Sequence, residues 1–163
     1  MFDDDSATAR AARDLFERAF ELQRRGDLTD AIRLYKESLA YFPTAEAHTF
    51  LGWTYAGLHL YDDAIDECRK AIALDPNFGN PYNDIGAYCI ELGRWHEAIR
   101  WLDKAIAAPR YENREFAHFN AGRVYEHLGQ WTRAIESYQR AVAVNWNHQP
   151  ARLAARLLIG KLN

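Results

Sequence analysis

Apolar residues in this chain recur at intervals of three and four, as at Leu51 and Tyr55 or at Leu153, Ala154, Leu157 and Leu158, which lines one face of a helix. A second, longer period lies over the first. Ala-Ile returns at Ala31-Ile32, Ala64-Ile65, Ala98-Ile99 and Ala134-Ile135, so the alanines are 33, 34 and 36 residues apart. Three residues before each alanine stands a large apolar residue: Leu28, Tyr61, Trp95 and Trp131. Seven residues after it stands a small one, Ser38, Ala71, Ala105 or Ala141, and twelve before it another, Ala19, Gly52, Gly86 or Gly122. Four landmarks repeated four times in register predict four copies of one structural unit.

The unit reads as a helix–turn–helix hairpin. Leu51, Gly52 and Tyr55 fall at i, i+1 and i+4, one face of a helix. A glycine within that face costs ~1 kcal/mol of helix propensity, which a close helix–helix contact offsets. Gly26, Gly93 and Gly129 end the first helices, second helices follow at once, and Asp27 is a candidate N-cap for the first of them. Pro43 and Pro76 close second helices, since proline cannot continue one. The tail from Pro150 carries Leu153, Ala154, Leu157, Leu158 and Leu162 on one face and predicts a single terminal helix. Twenty-six alanines against three valines agree with an all-α chain, because β-branched residues favour strands.

These landmarks resemble the tetratricopeptide repeat. The match is tightest in 45–78, where Leu51, Gly52, Tyr55, Ala64, Ala71 and Pro76 stand at the signature positions. The unit at 79–114 keeps Gly86, Gly93, Ala98 and Ala105 but has Cys89 where tyrosine is usual. The unit at 115–148 keeps Gly122, Tyr125, Gly129, Ala134, Tyr138 and Ala141 but has Trp146 in place of the proline. The unit at 12–44 departs most, with Ala19 for glycine and Leu22 for tyrosine. The resemblance implies one domain over 1–163: an α-solenoid of eight repeat helices wound as a right-handed superhelix, with a capping helix at 150–162. The surplus of two residues between the third and fourth units falls in 108–114, where a longer connection is expected, with Asn113 as a candidate N-cap and Tyr111 and Arg114 as candidate contacts.

Charge and chemistry narrow the function classes. Twenty Lys and Arg against 23 Asp and Glu give a net charge of −3, which lacks the basic footprint of a nucleic-acid binder. No run approaches the ~18 apolar residues of a membrane span, and the acidic start MFDDDSATAR lacks the features of a signal peptide, so a cytoplasmic location is expected. Cys68 and Cys89 lie 21 residues apart, without metal or redox spacing, and are expected to be reduced. His96-Glu97 begins like the zinc-protease motif, but Arg100 replaces the second histidine and a guanidinium cannot ligate zinc. His48 and His118 share one slot and are read as packing residues. Without a catalytic, cofactor or metal motif, the reading is a non-enzymatic protein.

What remains is surface. In resembling proteins the first helices line a concave groove and their variable positions touch a protein or peptide partner. Carried over, those positions are Arg13, Phe16, Phe20, Gln23 and Arg24 in the first unit, Glu46, Thr49, Phe50, Trp53 and Gly57 in the second, Asn80, Asn83, Asp84, Ala87 and Glu91 in the third, and Phe116, Phe119, Asn120, Arg123 and His127 in the fourth. The nine candidate site residues among them are Phe16, Phe20, Phe50, Trp53, Asn83, Phe116, Phe119, Asn120 and Arg123. Aromatic residues with arginine are the composition of interface anchors. The alternative for Phe16, Phe20 and Phe116 is that they fill gaps between neighbouring helices. The carboxylate clamp of chaperone-tail binders is not supplied: its slots hold Phe16, Phe20, Phe50, Asn80 and Asp84, or, one unit later, Thr49, Trp53, Asp84, Phe116 and Asn120. The leading expectation is a scaffold, monomeric or weakly self-associating, that holds a protein segment. The alternatives are a structural protein that self-associates through its solenoid ends, with Trp146 and Ile159 exposed, and a small secretion-type chaperone.

Overall fold

A computed structural model describes residues 6–162, and among them nine helices account for nearly the whole chain. They are α1 (Ala7–Arg25), α2 (Leu28–Tyr41), α3 (Ala45–Gly57), α4 (Tyr61–Leu74), α5 (Asn80–Glu91), α6 (Trp95–Ala107), α7 (Arg114–His127), α8 (Trp131–Val144) and α9 (Gln149–Leu162). Each helix packs most heavily on its neighbour in sequence, and the odd-numbered helices also touch one another, α1 on α3, α3 on α5 and α5 on α7. That second set of contacts makes the odd helices a continuous layer.

The turns inside the hairpins share one device. Gly26, Gly93 and Gly129 adopt φ of 90°, 70° and 70°. The left-handed residue turns the following N–H back onto the helix it has just left: Asp27 N donates to the Leu22 carbonyl, Arg94 N to Cys89 and Gln130 N to Tyr125. In the second unit the same position is His59, with φ 60°, and Leu60 N donates to Tyr55 in the same way. Asp27 occupies the N-cap position of α2 but makes no side-chain capping bond, and neither does Asn113 before α7. Side-chain caps stand at three other helices: Ser6 accepts from Ala9 N, Thr44 from Ala47 N and His148 Nδ1 from Ala151 N, each at 3.1 Å.

The core lies between the hairpin helices. Ala31, Ala64, Ala98 and Ala134 are fully buried, as the register requires. A Cβ on Gly86 would stand 2.6 Å from Leu102 Cδ2, and one on Gly122 would stand 2.4 Å from Tyr138 Cε1. Bare backbone therefore lets the first helix of each of these units seat a large residue from the second.

The connection after α6 is longer and is tied down. Arg110 N donates to the Asn77 carbonyl at 3.0 Å, and Gly79 N donates to the Arg110 carbonyl at 2.9 Å, a short parallel bridge to the α4–α5 connection. The Arg110 guanidinium pairs with Asp75 at 2.6 Å and Glu46 at 3.1 Å and covers the Phe78 ring. Tyr111 is buried against Gly79, and Arg114 donates to the carbonyls of Ile106 and Ala108. Both candidate contact residues of this connection are thus engaged internally.

At the far end α9 packs on α8 through Ala155 and Leu158, against Ala134 and Tyr138. The buried stripe is Ala151, Ala155 and Leu158; Leu153, Leu157 and Leu162, expected on the inward face, stay more than half exposed. The apolar stripe of α9 is wider than the one helix it rests on, so only one edge of it is covered.

Candidate functional site

Four of the nine candidate residues meet in one place. Trp53 from α3, Asn83 from α5 and Phe116 and Asn120 from α7 line a pocket of about 260 Å³, completed by Asn80, Asp84, Tyr111 and Asn113. Three successive odd helices contribute because their registers repeat: residues 53, 87 and 123 share one slot, and residue 84 stands about one turn before the second of them on the same helix. Trp53 is 40 % exposed and Phe116 47 %, so both rings border open space.

A chain of polar contacts runs under these rings. Trp53 Nε1 donates to Asp84 Oδ2 at 2.5 Å, and Asn83 Nδ2 donates to Asp84 Oδ1 at 3.4 Å. Asn120 Nδ2 donates to Asn83 Oδ1 at 3.1 Å, Arg123 donates to Asn120 Oδ1 at 3.3 Å, and the same guanidinium reaches Glu91 at 3.5 Å. Asp84 and Asn120 are both buried. Burial pushes the Asp84 carboxyl up to about 7, against the opposing pull of the Trp53 and Asn83 hydrogen bonds.

The other candidates are arranged differently. Phe16 is 9 % exposed, in edge contact with Tyr35 at 5.4 Å and Phe50 at 5.3 Å between ring centroids. It fills the space between α1, α2 and α3 and does not line the open face. Phe20 leans on Phe50 at 5.5 Å and Phe50 on Trp53 at 4.9 Å, so an unbroken row of rings leads from α1 to the pocket. Phe119 is directed to Tyr138 and His148. Arg123 stands next to the polar chain but borders a separate hollow with Trp95, His127 and Trp131.

Elsewhere a second buried carboxylate, Glu67, has structural partners. His48 Nδ1 and Glu67 Oε2 are 2.6 Å apart, and Lys70 Nζ donates to Glu67 Oε1 at 2.6 Å. Burial opposes the charge of Glu67, yet the His48 and Lys70 bonds outweigh it and hold the carboxyl below its ordinary range. Cys68 and Cys89 are free and buried; burial pushes the Cys68 thiol well up and the Cys89 thiol to about 11, so neither is an activated nucleophile. Among the described residues no group of three or more His, Cys, Asp and Glu is placed to hold a metal, and no helix is long and apolar enough to cross a membrane.

The residue that sequence reasoning left in the background is Asp84. It stands at a groove position, but nothing in its local sequence distinguishes it from a solvated aspartate. Its burial arises from Trp53, 31 residues earlier, and from the α7 side of the pocket.

Comparisons with known proteins agree with this architecture. The chain is 27 % identical over 131 residues to anaphase-promoting complex subunit 6 of Arabidopsis thaliana, covering 78 % of this chain and 24 % of that protein. It is 30 % identical over 76 residues to small glutamine-rich tetratricopeptide repeat-containing protein 2 of Mycosarcoma maydis, covering 47 % of this chain and 20 % of that protein. The chain therefore spans about a quarter or less of the length of these curated relatives. Among solved structures, PilF of Pseudomonas aeruginosa superposes with a TM-score of 0.88 at 24 % identity, over 96 % of this chain and 71 % of that one. PilW, a type IV pilus biogenesis factor, superposes with a TM-score of 0.79 at 26 % identity, over 86 % and 64 %. Tetratricopeptide repeat family models match residues 16–77 and 78–145. With the hairpin register, the turn device and the odd-helix layer, those matches make this chain an α-solenoid of the protein-interaction type, and it belongs to the tetratricopeptide repeat family.

Proposed function

We propose that this chain is a non-enzymatic scaffold that holds a protein segment against the exposed face of α1, α3, α5 and α7, with Trp53 and Arg123 as its main anchors. One observation carries the reading. Three successive odd helices leave an open pocket between them, bordered by exposed aromatic rings and floored by side-chain amides and a carboxylate. Rings anchor a ligand's side chains, and amides such as Asn83 hydrogen-bond its backbone. The family supports a scaffold role in general, and the similarity to an anaphase-promoting complex subunit adds one protein whose name places it in an assembly.

The test is capture from the native lysate, with melting recorded for the same variants. Trp53→Ala, Phe116→Ala and Arg123→Ala are expected to lose capture while remaining folded, since truncating an anchor costs ~2 kcal/mol or more of binding. Unchanged capture in all three moves the interface off the odd-helix face.

A second reading has its own observation. Trp146 is 71 % exposed, and Leu153 and Leu157 on α9 are 57 % and 56 % exposed, which leaves an apolar end to the stack. Light scattering over a concentration series tests self-association there: a mass that rises with concentration and falls back in Trp146→Ser supports it.

A further inference from the structure

We propose that the pocket between α3, α5 and α7 is a subsite for one cationic side chain of the captured segment, a lysine ammonium or arginine guanidinium seated on Asp84 between the Trp53 and Phe116 rings. The inference rests on the groove reading above and names what that groove selects.

Charge is the first argument. Asp84 is the single charged residue in the pocket lining; the rest are four asparagines and three aromatic residues. Arg123, at the end of the polar chain, is separated from Asp84 by Asn83 and Asn120 and is itself turned to Asn120 and Glu91. No cation of the described residues compensates Asp84.

Acceptor capacity is the second. A carboxylate offers about four lone-pair positions. Asp84 receives one hydrogen bond on each oxygen, from Trp53 and Asn83, and the Asn83 contact is long at 3.4 Å. About two acceptor positions of this lining residue are left without a donor.

The molecule holds its own comparison. Glu67 is another buried carboxylate, and the chain gives it His48 and Lys70 within 2.6 Å. Its carboxyl is held below the ordinary range, whereas that of Asp84 is pushed up to about 7. The same chemistry is completed internally in one place and left incomplete in the other, at the floor of an opening.

Size and walls agree. A volume of about 260 Å³ is below the ~300–1,000 Å³ of small-molecule sites and suits one side chain. The exposed indole and phenyl rings offer π-faces, which attract ammonium and guanidinium groups.

The experiment titrates the isotope-labelled protein with N-acetyl-lysine amide, N-acetyl-arginine amide and the uncharged Nα,Nε-diacetyl-lysine amide, following indole N–H resonances. The Trp53 resonance is identified by its loss in Trp53→Phe. The expected result is a saturable shift of that resonance with a cationic probe and at least tenfold weaker binding of the uncharged one. Asp84→Asn is expected to weaken the cationic probe at least tenfold and to leave the uncharged probe unchanged. Phe116→Leu, at an exposed position, is expected to weaken the cationic probe several-fold, and it decides the matter should Asp84→Asn fold poorly. Equal binding of charged and uncharged probes, insensitivity to Asp84→Asn and Phe116→Leu, or no saturable shift at Trp53 overturns the inference. The titration uses no partner protein, so its failure leaves the capture result standing, and a failed capture leaves the titration readable.

Discussion

Between α1 and α3 the odd-helix layer is closed by rings, whereas between α5 and α7 it is held by amides and a carboxylate. In the first region Phe16 and Phe20 each meet Phe50 edge-on, and Phe50 leans on Trp53 in a tilted contact. Rings in such contact bury part of one another's surface, and none of them carries a charge that must be paired. In the second region Asp84, Asn83, Asn120 and Arg123 form a polar chain that is directional and, at Asp84, short of a cation. A buried polar group costs free energy until it is paired, so this region keeps an unmet demand that the first does not have. The same repeat geometry therefore yields an aromatic wall on one side and a polar surface with chemical selectivity on the other.

The largest effect should come from breaking the ring wall at its buried end. Phe16→Ala is expected to cost ~3–5 kcal/mol of folding stability, the range for truncating a buried phenylalanine, read as a fall in the urea midpoint. Phe116→Ala, at the exposed end of the polar region, is expected to cost well under half of that. Equal losses would erase the distinction between the two regions.

The polar region should reveal itself through pH. Burial raises the Asp84 carboxyl from 3.8 to about 7, so between those values the native state holds more protons than the unfolded chain. The contribution of this group to stability therefore falls as pH rises from about 4 to about 7 and is flat above. Asp84→Asn is expected to remove that slope and to gain on the order of 2–4 kcal/mol relative to wild type at pH 8, less the cost of one lost acceptor. Urea denaturation at pH 5, 6, 7 and 8 checks it, and an unchanged slope in the variant shows that Asp84 does not carry it.

The joint between the two regions is the Trp53 indole, which leans on Phe50 and donates to Asp84. Trp53→Phe keeps a ring and deletes the donor, and a loss of ~1–2 kcal/mol above pH 7 is expected, smaller below pH 5 where Asp84 is protonated. Equal losses at both pH values would assign Trp53 wholly to the ring wall.

The smallest effect lies in a turn beneath neither region. His59 adopts the left-handed conformation that glycine holds in the other three hairpins. His59→Gly is expected to stabilise by ~0.5–1 kcal/mol, because the left-handed region strains a side chain more than glycine's extra unfolded-state freedom costs. The Trp53 resonance should not move. A shift there would couple the turn to the pocket and blur the comparison.

Much of this was legible along the chain. The 33-, 34- and 36-residue register marked the hairpins, since a residue that must be small to let two helices meet has to recur once per unit. The extra length after α6 was visible as a break in that register. The bracing of that connection was not, because Arg110 finds Asp75 and Glu46, 35 and 64 residues away. For α9 the sequence showed a wide apolar stripe, and the position of α8 selected which edge of it is buried.

The candidate site divides along the same line. Sequence placed Phe16, Phe20, Phe50, Trp53, Asn83, Phe116, Phe119, Asn120 and Arg123 on first helices, because helical period and repeat register are local properties of the chain. Which of them touch was decided by the spacing between helices that are neighbours in space and some 35 residues apart in sequence. That spacing buried Phe16 beneath Phe50, turned Phe119 to His148, and brought Trp53 onto Asp84. Periodicity assigns a residue to a face; the depth at which it lies there, and so whether its charge is solvated or must find a partner, depends on the helices packed around it.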